Sequence, residues 1–394
     1  MIKKIQKFFN GIKNLNKTNN YKVIKNIDEL FDILANSKQN IIDKLDLSNL
    51  DLREYEHLFV GQLANRWNPA KDKDGNKIPD IITAWTDRII WPAPEKMPAG
   101  FNPQKILEDQ KKQSEMAPVH KIGKTGKNIG IAIIDQRLNL EHPEYVDNIK
   151  HYEAVGYWPG NNTTSPDEHG SLVTGCAVGK TTGTAPDADL YYFAANNWKD
   201  EKNNLPSGHD TYILAAINKI IETNKTLDQS KKIRLISCSL SIKEENYKKA
   251  LTACKDNGIM LSTCNQSSTL SFIQSHLLPY DTNYPTGYQD KIGIPTDGKT
   301  TPYYSGGYIY RRSGGNSSTI PYITGVFACA LQDNTIFCTR PNWQDELIEI
   351  MKETATQNEH GEKIINPLGI ESRVSEIART MEAVITKQQS ALQK

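Results

Sequence analysis

Three side chains with chemistry to offer stand at informative places in this 394-residue chain. Ser317 lies in Ser313-Gly314-Gly315-Asn316-Ser317-Ser318, where two glycines permit a tight turn. The almost wholly apolar run from Ile320 to Leu331 follows and reads as a buried helix, so Ser317 is expected at its N-terminal end, with Pro321 in the first turn, where no backbone N–H is missed. His169 begins His169-Gly170-Ser171-Leu172-Val173-Thr174-Gly175-Cys176-Ala177, whose small residues suit a helix packed closely on a sheet. Asp135 closes Ile129-Gly130-Ile131-Ala132-Ile133-Ile134, a continuous apolar run that fits a strand buried on both faces of a parallel sheet. A hydroxyl, an imidazole and a carboxylate are the groups of a proton relay, in which the imidazole takes the hydroxyl proton and the carboxylate orients the imidazole. Each residue also has an ordinary role: Ser317 as a helix cap, His169 as a surface residue, Asp135 as a strand-end turn. Asp167 and Glu168 are rival orienting groups by proximity, but adjacent residues at a helix start point in different directions. Asp135 is preferred, because open α/β sheets place their ligand sites at the carboxyl ends of strands.

The elements that must position these groups follow from the pattern downstream. After the turn Gly183-Thr184-Ala185-Pro186, the sequence predicts a strand over Leu190 to Ala195, a helix over Thr211 to Thr223, and a strand over Ile233 to Leu240. A helix over Glu244 to Asp256, with Gly258 as its C-terminal cap, and a strand over Ile259 to Thr263 complete the alternation. Strands separated by helices of this length imply right-handed crossovers and an α/β fold with one parallel, doubly covered sheet.

Composition bounds the rest. With 38% hydrophobic residues the chain can hold one large core and a smaller appendage. Forty-seven basic against 46 acidic residues leave a net charge of +1, which does not favour nucleic acid. No apolar run approaches the ~20 residues of a membrane span. Cys176, Cys238, Cys254, Cys264, Cys329 and Cys338 form no CxxC pair and read as free thiols of a reducing compartment; with no signal-peptide pattern, a cytoplasmic location is expected. Residues 1–96 read as a small accessory or prodomain-like region, including a short helix over Asp28 to Ala35 and ending in a linker around Pro92 to Pro103; residues 97–394 form the main domain. The accessory region opens on Ile2, Ile5, Phe8, Phe9, Ile12 and Leu15 at helical spacing among five lysines. Such a basic amphipathic helix packs on its own domain, docks on a partner or lies peripherally on an anionic membrane.

The ordered blocks resemble a known family. Thr125-Gly126, Ile133-Ile134-Asp135 and His142-Pro143 come first, then His169-Gly170 with Val173 and Gly175, then Gly183, Ala185 and Pro186. Ser239-Leu240, Asn265, Tyr284-Pro285, and Gly315 with Ser317 and Pro321 complete the series. Together they resemble the subtilisin-like serine proteases over about Ile106 to Ile370, in the order Asp, His, Ser that distinguishes that group from other serine hydrolases. The resemblance implies a serine endopeptidase with Asp135, His169 and Ser317 as triad, and an oxyanion hole made by the Asn265 side chain and the Ser317 N–H. It implies that Ser239, Leu240, Ser241 and Cys264 border the substrate, which would be a protein or peptide. No cofactor is required for this chemistry. Structural calcium occurs in the family, and no acidic loop here has ligand spacing that assigns it.

Departures from the family pattern carry their own expectations. Arg137 replaces a glycine near the triad aspartate, and Ser241 and Cys264 replace two glycines that border the pocket for the residue preceding the scissile bond. Side chains at both positions should tighten that pocket and favour a small residue. Thr319 and Tyr322 stand where alanine and histidine are usual, and unaccommodated bulk in a packed core costs about 1–3 kcal/mol, so compensation is expected elsewhere. The divergent pocket also admits a second function class, a catalytically silent module that binds peptides or regulates a partner.

Overall fold

The computed structural model describes residues 22–23, 45–46, 88–91, 103–112, 114–156, 168–195, 209–265, 268–275, 291–296, 299–304, 306–311, 315–358 and 361–392. The amphipathic N-terminal helix and the helix over Asp28 to Ala35 lie outside these residues. In chain order, β1 (Lys22–Val23) and β2 (Leu45–Asp46) pair with each other, and β3 (Arg88–Trp91) follows. Helices α1 (Pro103–Lys112) and α2 (Ala117–Lys121) lead to β4 (Gly130–Asp135), β5 (Ile149–Val155) and α3 (Glu168–Val178). Then come β6 (Asp189–Ala195), α4 (His209–Thr226), β7 (Ile233–Cys238), α5 (Glu244–Asp256) and β8 (Met260–Thr263). Strands β9 (Ile273–Ser275), β10 (Ile292–Ile294), β11 (Lys299–Pro302) and β12 (Tyr308–Arg311) precede α6 (Gly315–Leu331). The chain closes with α7 (Trp343–Thr354), β13 (Thr356–Gln357), β14 (Lys363–Ile364) and α8 (Pro367–Leu392). Among the described residues no helix is long and apolar enough to cross a membrane.

The central sheet has five parallel strands in the order β5-β6-β4-β7-β8. Its first strand in sequence, β4, therefore sits in the middle, with later strands added on both sides, and that reversal opens a crevice beyond the carboxyl ends of the strands. All six residues of β4 are buried because the sheet is covered twice. Ile131 and Ile133 join a core with α3 and α6, while Ala132 and Ile134 join a second core with α4 and α5. Fully burying each isoleucine contributes about 1.5–3 kcal/mol, so this strand is firmly seated and the residue at its tip inherits a fixed position.

The predicted strands and helices of the alternation are present, with two differences. Strand β7 stops at Cys238 instead of reaching Leu240, and β5 was not expected. The reason lies in its composition: β5 is a half-buried edge strand carrying Lys150, His151 and Glu153, so it shows no continuous apolar run. Gly258, at φ +64°, follows α5 as the cap. Pro321 requires a correction: α6 begins at Gly315, so the proline lies inside the helix rather than in its first turn. All six cysteines are unpaired, four of them buried and Cys264 and Cys338 half-buried.

Two polar nodes tie the frame together. Gln332, just past α6, accepts the N–H groups of Thr125, Gly126 and Lys127 at 2.8–3.2 Å and donates to the Gly123 carbonyl at 3.0 Å, pinning the loop that delivers β4. The bulk at Tyr322 is accommodated by the segment before α2, where its hydroxyl meets a Glu115 oxygen at 3.4 Å, and Thr319 bonds the Asn316 carbonyl at 2.9 Å. The second node is His142, whose Nδ1 accepts the Glu144 N–H at 3.2 Å and whose Nε2 donates to the Gly307 carbonyl at 2.8 Å. That pattern requires the neutral ring, and burial lowers the His142 pKa below 6.5.

The sign of the resulting pH effect is fixed. Below about pH 6.5 the unfolded chain binds a proton that folded His142 refuses, so stability falls as pH drops toward the lowered native value. His120, also lowered by burial, adds an effect of the same sign. Thermal denaturation should therefore show a falling Tm from pH 7 to about pH 5.5, and His142→Gln should flatten that slope while lowering Tm at pH 7.

Candidate active site

Asp135 is the last residue of β4 and is fully buried. A buried carboxylate must be met by donors, and Oδ1 accepts two, the Gln136 N–H at 2.8 Å and His169 Nδ1 at 2.7 Å. Of the rival carboxylates, Asp167 lies outside the described residues, and the contact to His169 is made by Asp135. With Nδ1–H given to the carboxylate, the imidazole carries its lone pair on Nε2. His169 is the second residue of α3 and its side chain is 29% exposed, so Nε2 has access to an incoming group.

The close approach of α3 to the loop after β4 depends on Gly170. A Cβ there would stand 2.6 Å from the Tyr192 hydroxyl and 2.7 Å from the carbonyl oxygens of Gln136 and Arg137. The Tyr192 hydroxyl itself donates to the Gln136 carbonyl, so this loop is held from the β6 side as well. Arg137 contributes that carbonyl contact, and its half-buried side chain stands beside Tyr152.

Ser317 is the third residue of α6 and is half-buried. Its N–H belongs to the first turn, where helical N–H groups have no intrahelical acceptor and the helix dipole favours negative charge. Its carbonyl would ordinarily accept from the residue four positions on, but that residue is Pro321, which has no N–H. Ser239 replaces the missing donor, its Oγ bonding the Ser317 oxygen at 2.9 Å. Ser239 follows Cys238, which lies in register with Ile134 of β4, the residue before Asp135. Aspartate, histidine and serine are thus drawn to the same carboxyl edge of the sheet.

Asn265 follows β8 and is 7% exposed. Its carboxamide closes on the main chain of Ile242, accepting that N–H at 3.0 Å and donating through Nδ2 to that carbonyl at 2.6 Å. One Nδ2 hydrogen is committed by this bond; an amide has two. The segment after β7 divides its roles: Ser239 is buried against Ser317, Leu240 packs into the core beneath α4 and α5, and Ser241 is exposed. Ser241 Oγ meets Cys264 Sγ at 3.6 Å, and burial pushes the Cys264 thiol pKa up, which keeps it protonated. The Ser239 bond to Ser317, the clasp of Asn265 on Ile242 and the part of Tyr192 are not foreshadowed by the sequence pattern, except that a proline four residues after the serine is the one signal for the first of these.

Among the described residues, no group of three or more His, Cys, Asp and Glu side chains is placed to hold a metal. The buried carboxylate of Glu144 receives hydroxyl protons from Thr181, Thr182 and Tyr308 and the N–H groups of Thr181 and Thr182. It is a hub of donors rather than one oxygen in a cage of acceptors.

With this geometry in place, the chain can be set beside known proteins. Residues 126–275 match the model of the subtilase family. The subtilisin-like protease PopC of Myxococcus xanthus (strain DK1622) is 30% identical over 80 residues, a match spanning 18% of this chain and 17% of that protein's length. The PatG macrocyclase in complex with peptide is similar in fold, with a TM-score of 0.50 at 14% identity over 68% of this chain and 98% of its own. The PatG macrocyclase domain gives the same TM-score of 0.50 at 14% identity, covering 68% and 97%. The parallel sheet with helices on both faces is the α/β fold of these relatives.

Gly170→Ala should keep the fold but push the start of α3 away from the loop after β4, and His169 away from Asp135. A shift of that kind, near 1 Å, costs on the order of 100-fold in rate. Peptide-cleavage kinetics beside circular dichroism of the variant measure both effects.

Proposed function

We propose that this chain is a serine endopeptidase of narrow specificity, acting on a protein or peptide through an acyl-enzyme on Ser317. The observation that carries the reading is the 2.7 Å bond from His169 Nδ1 to the buried Asp135 carboxylate, because it sets the tautomer a general base needs. In this mechanism Nε2 takes the Ser317 Oγ proton as the hydroxyl attacks the scissile carbonyl. Asp135 stays ionised and stabilises the imidazolium, which then protonates the leaving amine. Water repeats the cycle on the acyl-enzyme. The developing oxyanion is met by the Ser317 N–H, unpaired in the helix ladder, and by the second N–H of the Asn265 carboxamide, which Ile242 holds in place. No step calls for a cofactor.

Specificity follows from the Ser241 and Cys264 side chains. Their 3.6 Å contact closes space that glycines would leave open, which supports a preference for a small residue before the scissile bond.

Three outcomes are expected. A fluorophosphonate probe should label Ser317 in the full chain, and Ser317→Ala should abolish labelling; an unlabelled folded protein favours the silent peptide-binding module instead. Asn265→Ala should retain labelling at a reduced rate and lower kcat by roughly 10²–10³, the range for one lost oxyanion donor. A peptide library should be cut after small residues, and Ser241→Gly/Cys264→Gly should extend cleavage to aromatic ones; aromatic preference in the unsubstituted protein rules the narrow pocket out.

A further inference from the structure

The accessory range assigned to residues 1–96 does not end clear of the peptidase. Its strand β3 is the third strand of a sheet with the order β11-β12-β3, running antiparallel to β12. The register pairs Arg88 with Arg311, Ile89 with Tyr310, Ile90 with Ile309 and Trp91 with Tyr308. β12 is the strand that leads into α6, so β3 covers the edge of the segment that delivers Ser317. Without it, β12 would present a row of unpaired main-chain groups, the kind of edge that extended peptides join by strand addition.

Two features make β3 a weak occupant. It offers only four residues of pairing, and its register sets two arginines opposite each other, where like charges weaken a ladder. A guest with Asp or Glu in place of Arg88 would turn that repulsion into attraction. Polarity follows from the antiparallel pairing: the guest's N-terminal end lies at Arg311, the end that leads to the nucleophile helix, and the guest runs away from it. A continuous substrate would therefore lay on β12 the residues downstream of its scissile bond.

We propose that the β12 edge docks an extended stretch of substrate on the carboxyl side of the cleaved bond, with an acidic residue opposite Arg311, and that β3 occupies this edge in cis until displaced. This rests on the endopeptidase reading above.

The test uses the full chain. Successive N–H groups of a strand face opposite sides, so Ile89→Pro/Ile90→Pro removes a donor to β12 whichever residue supplies it. Fluorophosphonate labelling of Ser317 should be unchanged in this variant while KM for peptide substrates falls. In the unsubstituted protein, peptides with a downstream Glu should show a KM roughly three- to ten-fold below matched peptides with Arg, the scale of one cross-strand charge pair. Arg311→Glu, which relieves the repulsion with Arg88 and leaves β3 better held, should reverse that preference. It serves as the second variant if the proline pair does not fold. Normal labelling with no charge preference in either protein, or a preference that Arg311→Glu leaves unaltered, overturns the docking proposal and leaves the peptidase reading standing. Absence of labelling in the unsubstituted protein overturns both.

Discussion

A carboxylate sealed at the end of a buried strand is tolerated only if donors reach it, and the architecture around Asp135 is arranged by that requirement. Burial of β4 on both faces fixes where the charge sits, and one N–H from its own loop is not enough to satisfy it. The imidazole of His169 supplies the other donor, which is why α3 must start close to the loop and why its second contact residue has no side chain. The same interaction that makes the burial affordable selects the imidazole tautomer. In the proposed mechanism stability and chemistry are served by one hydrogen bond.

The serine is held by a complementary device, a missing donor. Pro321 deprives the Ser317 carbonyl of its helical partner, and the orphaned oxygen turns to Ser239 beyond the tip of β7. An uninterrupted helix would satisfy that carbonyl internally and remove the reason for its bond to Ser239. The proline therefore exchanges a bond within the helix for one between helix and sheet, at the position where registration matters most. Asn265 is fixed in a related way, its carboxamide closing on both main-chain groups of Ile242 as an extra rung of strand pairing.

Substitutions that look like losses against the family pattern are absorbed by local rearrangement. Tyr322 finds space and a hydroxyl partner at the segment before α2. Ser241 and Cys264 meet each other, so two added side chains fill the space between their segments. The Glu144 hub, met by hydroxyl and amide donors, joins the loop after α3 to the hairpin of β11 and β12.

The sequence by itself determined the central strands, the helices between them, and the order in which Asp135, His169, Asn265 and Ser317 arrive, because runs buried on both faces and short ordered motifs are local signals. It marked Asp135 over its rivals for the same reason: a strand end is visible in the pattern. It could not show β5, whose polar edge residues hide the strand, nor how far ahead of Pro321 α6 begins, nor β3 lying on β12, since partners far apart in the chain leave no periodicity. Only the tertiary structure decided which donor met which orphaned group: Ser239 for the Ser317 carbonyl, Ile242 for Asn265, Gln332 for the loop before β4. Hydrogen-bond demand is written residue by residue, but the residue that satisfies it is chosen by packing.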